Sequence, residues 1–300
     1  MKTFRLLLAI AASLGWSSEL IAGEPFVFKD GDRVVFVGGG FVEREGKYGH
    51  LETAMTAQFP DKQLTFRNLG WSGDTVAGRA RSYFGPPVEG FERLRSHLKM
   101  VNPTVIMAAY GSVASFEGEA GLENFAQGYK QLVAMMKEAA PKARVVLLSP
   151  PPFESKGSPL PDMTARNAML GKYSDRIRQM AEEIEVTFVD LFAAISDAQG
   201  LTSDGVHYTP DGYAAIAEKF LGAMGWEPRA VPTDQLDSLR AVVVEKNQLF
   251  FYRWRPQNET YLHGFRKHEQ GNNAKEVPEF DPLIEAKDKE ITKLREALGK

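Results

Sequence analysis

The stretch SDGVHYTPDGY, residues 203–213, sets Asp204 three positions ahead of His207, just before a helix start marked by Thr209, Pro210 and Asp211. A carboxylate that orients one imidazole nitrogen leaves the other free to take a proton, which is the chemistry of a general base. A bare D-x-x-H is also what a capped loop histidine looks like. A second stretch, NLGWSGDT at 68–75, carries Gly70 and Gly73, which allow a tight loop whose N–H groups converge as an oxyanion hole requires. Its bland alternative is a turn in which Ser72 or Asp74 caps a helix. A third, RVVFVGGGFVEREGKYGH at 33–50, runs four apolar residues into Gly38, Gly39 and Gly40 and then a polar helix former. A strand that breaks into a helix is a common seat for a nucleophile. This one offers no hydroxyl, thiol or carboxylate.

The positioning elements follow from an alternation of short apolar runs and longer amphipathic segments. Strands are expected at Val34–Val37, Leu64–Asn68, Thr104–Ala109, Arg144–Leu148 and Val186–Asp190. Helices are expected near 48–58, 89–101, 121–139, 163–185 and 210–224, with Pro103, Pro141 and Pro150–Pro152 at the joins. This order predicts an α/β domain: a parallel sheet covered on both faces, with a site built from loops at the carboxyl ends of the strands. Asp204 and His207 fall after the fifth strand and before the last of these helices, which strengthens the base reading.

Together the stretches resemble the SGNH, or GDSL-like, hydrolase family over roughly residues 30–226. The resemblance implies a three-layer α/β/α, flavodoxin-like fold with a five-stranded parallel sheet. It assigns His207 as base, Asp204 as its orienter and Gly73 as an oxyanion amide. Two blocks depart. Gly40 stands where the family carries its serine, and in AAYGSVASFEG Val113 takes the place of the oxyanion asparagine. Three outcomes stay open: a relocated hydroxyl from Ser72, Thr75, Ser112 or Ser115; water activated directly by His207; or a fold retained for binding after chemistry lapsed. The resemblance implies an ester hydrolase, deacylating extracellular carbohydrate, with a degenerate nucleophile site; the alternative is a carbohydrate-binding pseudoenzyme.

After Trp226 the pattern changes, so a hydrolase-like domain over 26–226 and a mainly helical or irregular extension over 227–300 are expected, with helices near 233–247 and 281–298. Between them, FFYRWRPQNETYLHGFRKHEQGNN (250–273) is dense in arginine and aromatics, a composition that marks recognition surfaces. It is similar to an extension carried by secreted bacterial SGNH-like proteins. Arg253, Arg255, Asn258 and Arg266 join Gly40, Ser72, Asp74, Ser112 and Ser115 as candidate substrate residues; the alternative is an arginine–aromatic–carboxylate network that locks the extension down. His263, His268 and Glu269 are read as surface or hydrogen-bonded groups, so no metal or other cofactor is expected. The final helix lines up Leu283, Ile284, Ile291, Leu294 and Leu298 for its own domain or a dimer, and the sequence leaves the oligomeric state open.

Of 300 residues, 36 are Lys or Arg and 39 Asp or Glu, a net charge of −3 that gives no global pull toward nucleic acid. The absence of cysteine excludes disulfides and thiolate chemistry. Lys2 and Arg5 ahead of the apolar run Leu6–Trp16, with Ala22-Gly23 following, read as a signal peptide over 1–22 and hence a secreted or periplasmic protein with no stable membrane insertion. The expected ligand is a small-molecule or oligosaccharide ester.

Overall fold

The computed structural model describes residues 25–299 apart from Ala198 and Gln257. The expected signal segment lies outside the described residues. Five strands form one parallel sheet: β1 (Arg33–Gly38), β2 (Thr65–Asn68), β3 (Val105–Ala109), β4 (Arg144–Leu148) and β5 (Thr187–Val189). Their order is β2-β1-β3-β4-β5, the flavodoxin-like arrangement. Val34 lies opposite Phe66 on one side and Val105 on the other, and Gly38 opposite Ala109. The central strands read as unbroken apolar runs because both sheet faces are covered.

One face buries Val34, Phe36, Met107 and Val146 beneath α1 (Gly40–Tyr48), α2 (His50–Gln58), the short α6 (Leu191–Ile195) and α7 (Pro210–Ala223). The other buries Val35, Val37, Ile106 and Leu147 beneath α3 (Pro87–Val101), α4 (Leu122–Ala139) and α5 (Thr164–Glu183). The helix expected near 48–58 is α2, with the separate helix α1 just ahead of it. Gly49, at φ +71°, ends α1 and opens α2, and its missing side chain leaves room for Val243, which a Cβ would meet at 3.0 Å.

The extension comprises α8 (Thr233–Trp254), the short α9 (Glu259–Leu262) and α10 (Lys267–Gln270), a 3₁₀ segment (Gly271–Glu279) and α11 (Phe280–Leu298). Helix α8 runs seven residues past the expected 247. It continues because Lys246 and Asn247 are buried rather than exposed, with Lys246 Nζ 2.6 Å from Glu52 Oε1 and 2.9 Å from the Phe66 carbonyl. Phe250, Trp254 and Ile284 complete the core of the α3–α5 face, so the extension finishes the domain's packing. The final helix α11 lies on α8, burying Ile291 with Leu239 and Val243, while Leu283 stays exposed. No helix among the described residues is long and apolar enough to cross a membrane.

Candidate active site

The loops at the carboxyl edge of the sheet enclose a cavity of about 200 Å³. Its base side is a tight turn closed by an antiparallel bridge between Thr202 and Tyr208 and by the Ser203 N–H donating to the His207 carbonyl at 2.9 Å. Gly205 turns the chain at φ +88°, and a Cβ there would sit 2.6 Å from the Glu154 carbonyl. Only glycine fits both demands. Asp204 then receives everything the turn offers: the Val206 N–H at 3.0 Å, the His207 N–H at 2.8 Å and His207 Nδ1 at 2.7 Å. Partial burial opposes charge on Asp204, but these hydrogen bonds outweigh it and hold the carboxyl at a pKa of about 2. It therefore stays ionised wherever an imidazole works as a base. Thr209 caps α7 by accepting from the Gly212 N–H at 3.0 Å, which anchors the turn.

Opposite His207 stand the glycines. A Cβ at Gly38 would lie 2.5 Å from the Ala109 carbonyl, so that position is fixed by packing between strands. Gly40 is different: a Cβ there meets only Ser72 Oγ, at 3.6 Å, an ordinary contact. The backbone has room for a side chain at 40, and the sequence supplies none. As the first residue of α1, Gly40 lines the cavity and has an N–H with no intrahelical acceptor. Gly73 lines the same cavity, and its N–H has no acceptor among the described residues. Two amide donors therefore remain. Val113 sits half-exposed on the rim, where it donates nothing.

No serine lies within hydrogen-bond distance of the His207 ring among the described residues. Ser72 and Ser112 line the cavity. Ser115 does not; it is buried and its Oγ donates to the Ser112 carbonyl at 2.7 Å. Asp74 lines the cavity, yet its carboxylate is fully buried: Oδ2 accepts from Arg81 Nε at 2.6 Å and the Tyr110 hydroxyl at 3.0 Å, and Oδ1 is buried without a partner among the described residues. It braces the loop from behind and is not offered to a ligand.

The four extension residues expected at the substrate do not line the cavity. Arg253 pairs with Asp281 at 2.8 Å, Asn258 donates to Gln270 at 3.1 Å, and Arg266 pairs with Glu269 at 2.5 Å. Arg255 comes nearest. Its guanidinium stacks 3.7 Å from the Trp71 ring centre and donates to Glu43 Oε2 at 2.7 Å, and the same oxygen accepts the Ser72 N–H at 2.7 Å. Burial opposes charge on Glu43, but the Ser72 N–H and Arg255 outweigh it and hold the carboxyl below its ordinary range. His263, His268 and Glu269 form no metal-binding group, and none of three or more His, Cys, Asp or Glu exists among the described residues.

Sequence reasoning missed Phe41, Arg44, Tyr110, Phe153, Val206, Tyr208 and Tyr213, which also line the cavity. A signal for two of them existed: Phe41 and Arg44 lie one and four positions after Gly40, on the same side of a helix. Tyr213 steadies that helix by donating to the Phe41 carbonyl at 2.7 Å.

Residues 32–215 match the profile of the GDSL-like Lipase/Acylhydrolase family. A GDSL esterase/lipase of Oryza sativa subsp. japonica is 24% identical over 207 residues, covering 57% of this chain and 80% of that protein. One from Arabidopsis thaliana is 22% identical over 210 residues, covering 58% and 82%. Among solved structures, a gut microbial diltiazem-metabolizing enzyme superposes with a TM-score of 0.67 at 13% identity, covering 90% of this chain and 96% of its own. A catalytic mutant of an acetylxylan esterase from Geobacillus stearothermophilus gives 0.52 at 18% identity, covering 68% and 99%. With the strand order, the Asp204–His207 pair and more than half its length matched, the chain belongs to the GDSL-like lipase/acylhydrolase family.

Proposed function

We propose that the protein hydrolyses small acyl esters of carbohydrate by direct attack of water, without an acyl-enzyme. His207 Nε2 takes a proton from water as its oxygen bonds to the acyl carbon. The bond from that carbon to the alcohol oxygen then breaks, and the imidazolium returns the proton to the departing oxygen. Asp204 balances the imidazolium charge throughout. The Gly40 and Gly73 N–H groups face the developing oxyanion. The observation that carries this reading is the formed Asp204–His207 pair, at 2.7 Å, across a cavity from a glycine whose seat is open. A cavity of about 200 Å³ suits an acetyl group better than a long chain, and the acetylxylan esterase likeness supports a sugar ester. The expected export signal at 1–22, ahead of a hydrolase unit over 26–226 and its extension, fits work on polysaccharide outside the cell.

The test is turnover of p-nitrophenyl acetate and acetylated xylo-oligosaccharide by the wild type and His207→Ala, with intact mass measured after acid quench. Slow turnover, a loss of roughly 10²–10⁴ in the variant and no acyl adduct support the proposal. An adduct on Ser72 or Ser112 replaces it with a relocated nucleophile. Val113 and Gly40 favour a second reading, the binding pseudoenzyme, because losing one oxyanion donor alone costs ~10²–10³ in rate. Binding of the acetylated sugar with no turnover above His207→Ala establishes that second reading.

A further inference from the structure

Among the described residues, one arginine lines the cavity without a carboxylate partner. Gly40, Phe41 and Arg44 form its α1 side, while Glu43, on the next face of the same helix, turns away to Ser72 and Arg255. Arg44 is half-buried and has no carboxylate within ion-pair distance among the described residues. Arg33, Arg79, Arg166 and Arg229 also lack a carboxylate partner among the described residues, but all four are exposed and Arg44 is not. Arg67, Arg81, Arg144, Arg253, Arg255 and Arg266 each hold a carboxylate. Nor is the chain short of acids, with 39 against 36 basic residues. Of the cavity's own carboxylates, Asp74 is spent on Arg81, and Asp204 beside it is spent on His207.

We propose that Arg44 is a specificity residue that makes the cavity select esters carrying an anionic group, a carboxylate or sulfate, on the alcohol part; this rests on the hydrolase reading above. The ligand class is an acylated acidic sugar. A guanidinium recognises such an anion with two parallel N–H donors, and partial burial shields the pair from water. Because His207 and the two amide donors engage the ester itself, the charge on Arg44 is left to read the rest of the ligand. Neutral acetyl esters are then poorer substrates for reasons of recognition rather than chemistry.

The experiment uses matched substrates that differ only in charge: an O-acetylated methyl glucuronoside and its methyl ester, with an O-acetylated sugar sulfate as a third arm. The expected result is kcat/KM at least roughly 10-fold higher for the acid than for its methyl ester, as a charged hydrogen-bonded pair provides. Arg44→Gln brings that ratio close to one, and Arg44→Lys keeps part of it. A sulfate preferred to the carboxylate reassigns the anion within the class, while equal kcat/KM for acid and methyl ester in the wild type overturns the proposal. So does a preference that survives Arg44→Gln. Should no ester be turned over, the hydrolase reading fails separately. Calorimetric binding of the acid and its methyl ester to wild type and Arg44→Gln then decides Arg44: a Kd ratio favouring the acid, lost in the variant, upholds it, and an unchanged ratio sinks it.

Discussion

The two sides of the cavity are built in opposite ways. On the base side the reactive pair is local, Asp204 and His207 being three residues apart, and the farthest ties on their turn are to Glu154, which accepts the Thr202 N–H across 48 residues, and to Pro152, which accepts from the Tyr208 hydroxyl across 56. The glycine side carries no side chain at residue 40 and is gripped from far along the chain. Lys246 reaches Glu52 across 194 residues and Arg255 reaches Glu43 across 212. The helices that follow Gly40 are thus held by the extension.

The largest effect is expected where that bracing is buried. Lys246→Met leaves Glu52 without its partner in a fully buried position, which costs about 3–5 kcal/mol. The double change Lys246→Met with Glu52→Leu is expected to recover most of it, since the charge to be compensated is gone. Urea midpoints for the three proteins check this. Equal stability of wild type and Lys246→Met would show that the glycine side does not depend on the extension.

Next comes Gly40→Ser, which places a hydroxyl where the cavity has room for one. The side chain fits, since a Cβ at 40 meets only Ser72 Oγ at 3.6 Å. Ester turnover is expected to rise roughly 10²-fold, within the range that general-base assistance of a nucleophile supplies, and an acyl adduct on residue 40 is expected by intact mass. No gain would mean that the amides alone do not place an ester carbonyl above that position.

Arg255→Ala probes the same side more gently. The guanidinium touches no cavity atom; it holds Glu43, which holds the Ser72 N–H beside Gly73. Misplacing one amide donor is expected to lower kcat about 10-fold, less than removing it, with KM little changed. Arg255→Lys is expected to restore part of the loss through its charge, but not the stacking on Trp71. A change in KM alone would instead make Arg255 a substrate contact.

This asymmetry also explains what the sequence disclosed. The central strands β1, β3 and β4 were readable because burial on both faces leaves them almost wholly apolar, and Asp204–His207 was readable because the interaction spans three residues. Contacts across about 200 residues leave no such pattern. Lys246 and Asn247 look like a helix running out into solvent, so α8 seemed to end there; their burial depends on Glu52, which no local rule connects to them. The arginine-rich segment invited a substrate role because composition does not distinguish a guanidinium facing a ligand from one facing Asp281 or Glu269. Arg44 was hidden for the converse reason: a single charged residue on a helix is ordinarily solvated, and its neighbours across the cavity come from loops 30 to 170 positions away.

The smallest effect is expected on the base side and concerns pH. The folded-state pKa of Asp204, about 2, lies below the ordinary value of 3.8. The folded protein thus binds this proton less readily than the unfolded chain. The carboxylate's contribution is present above about pH 4 and is lost as pH falls from there through about 2. Because Asp204 and His207 are both nearly half-exposed, solvent screening keeps that contribution small. Thermal melts of wild type and Asp204→Asn from pH 6 down to pH 3 are expected to differ slightly and to converge toward the acid end. A difference that widened on acidification would mean that the Asp204 carboxyl is favoured in its protonated form. Asp204 would then donate a hydrogen bond to His207 instead of balancing its charge, and the base side would be as altered as the glycine side.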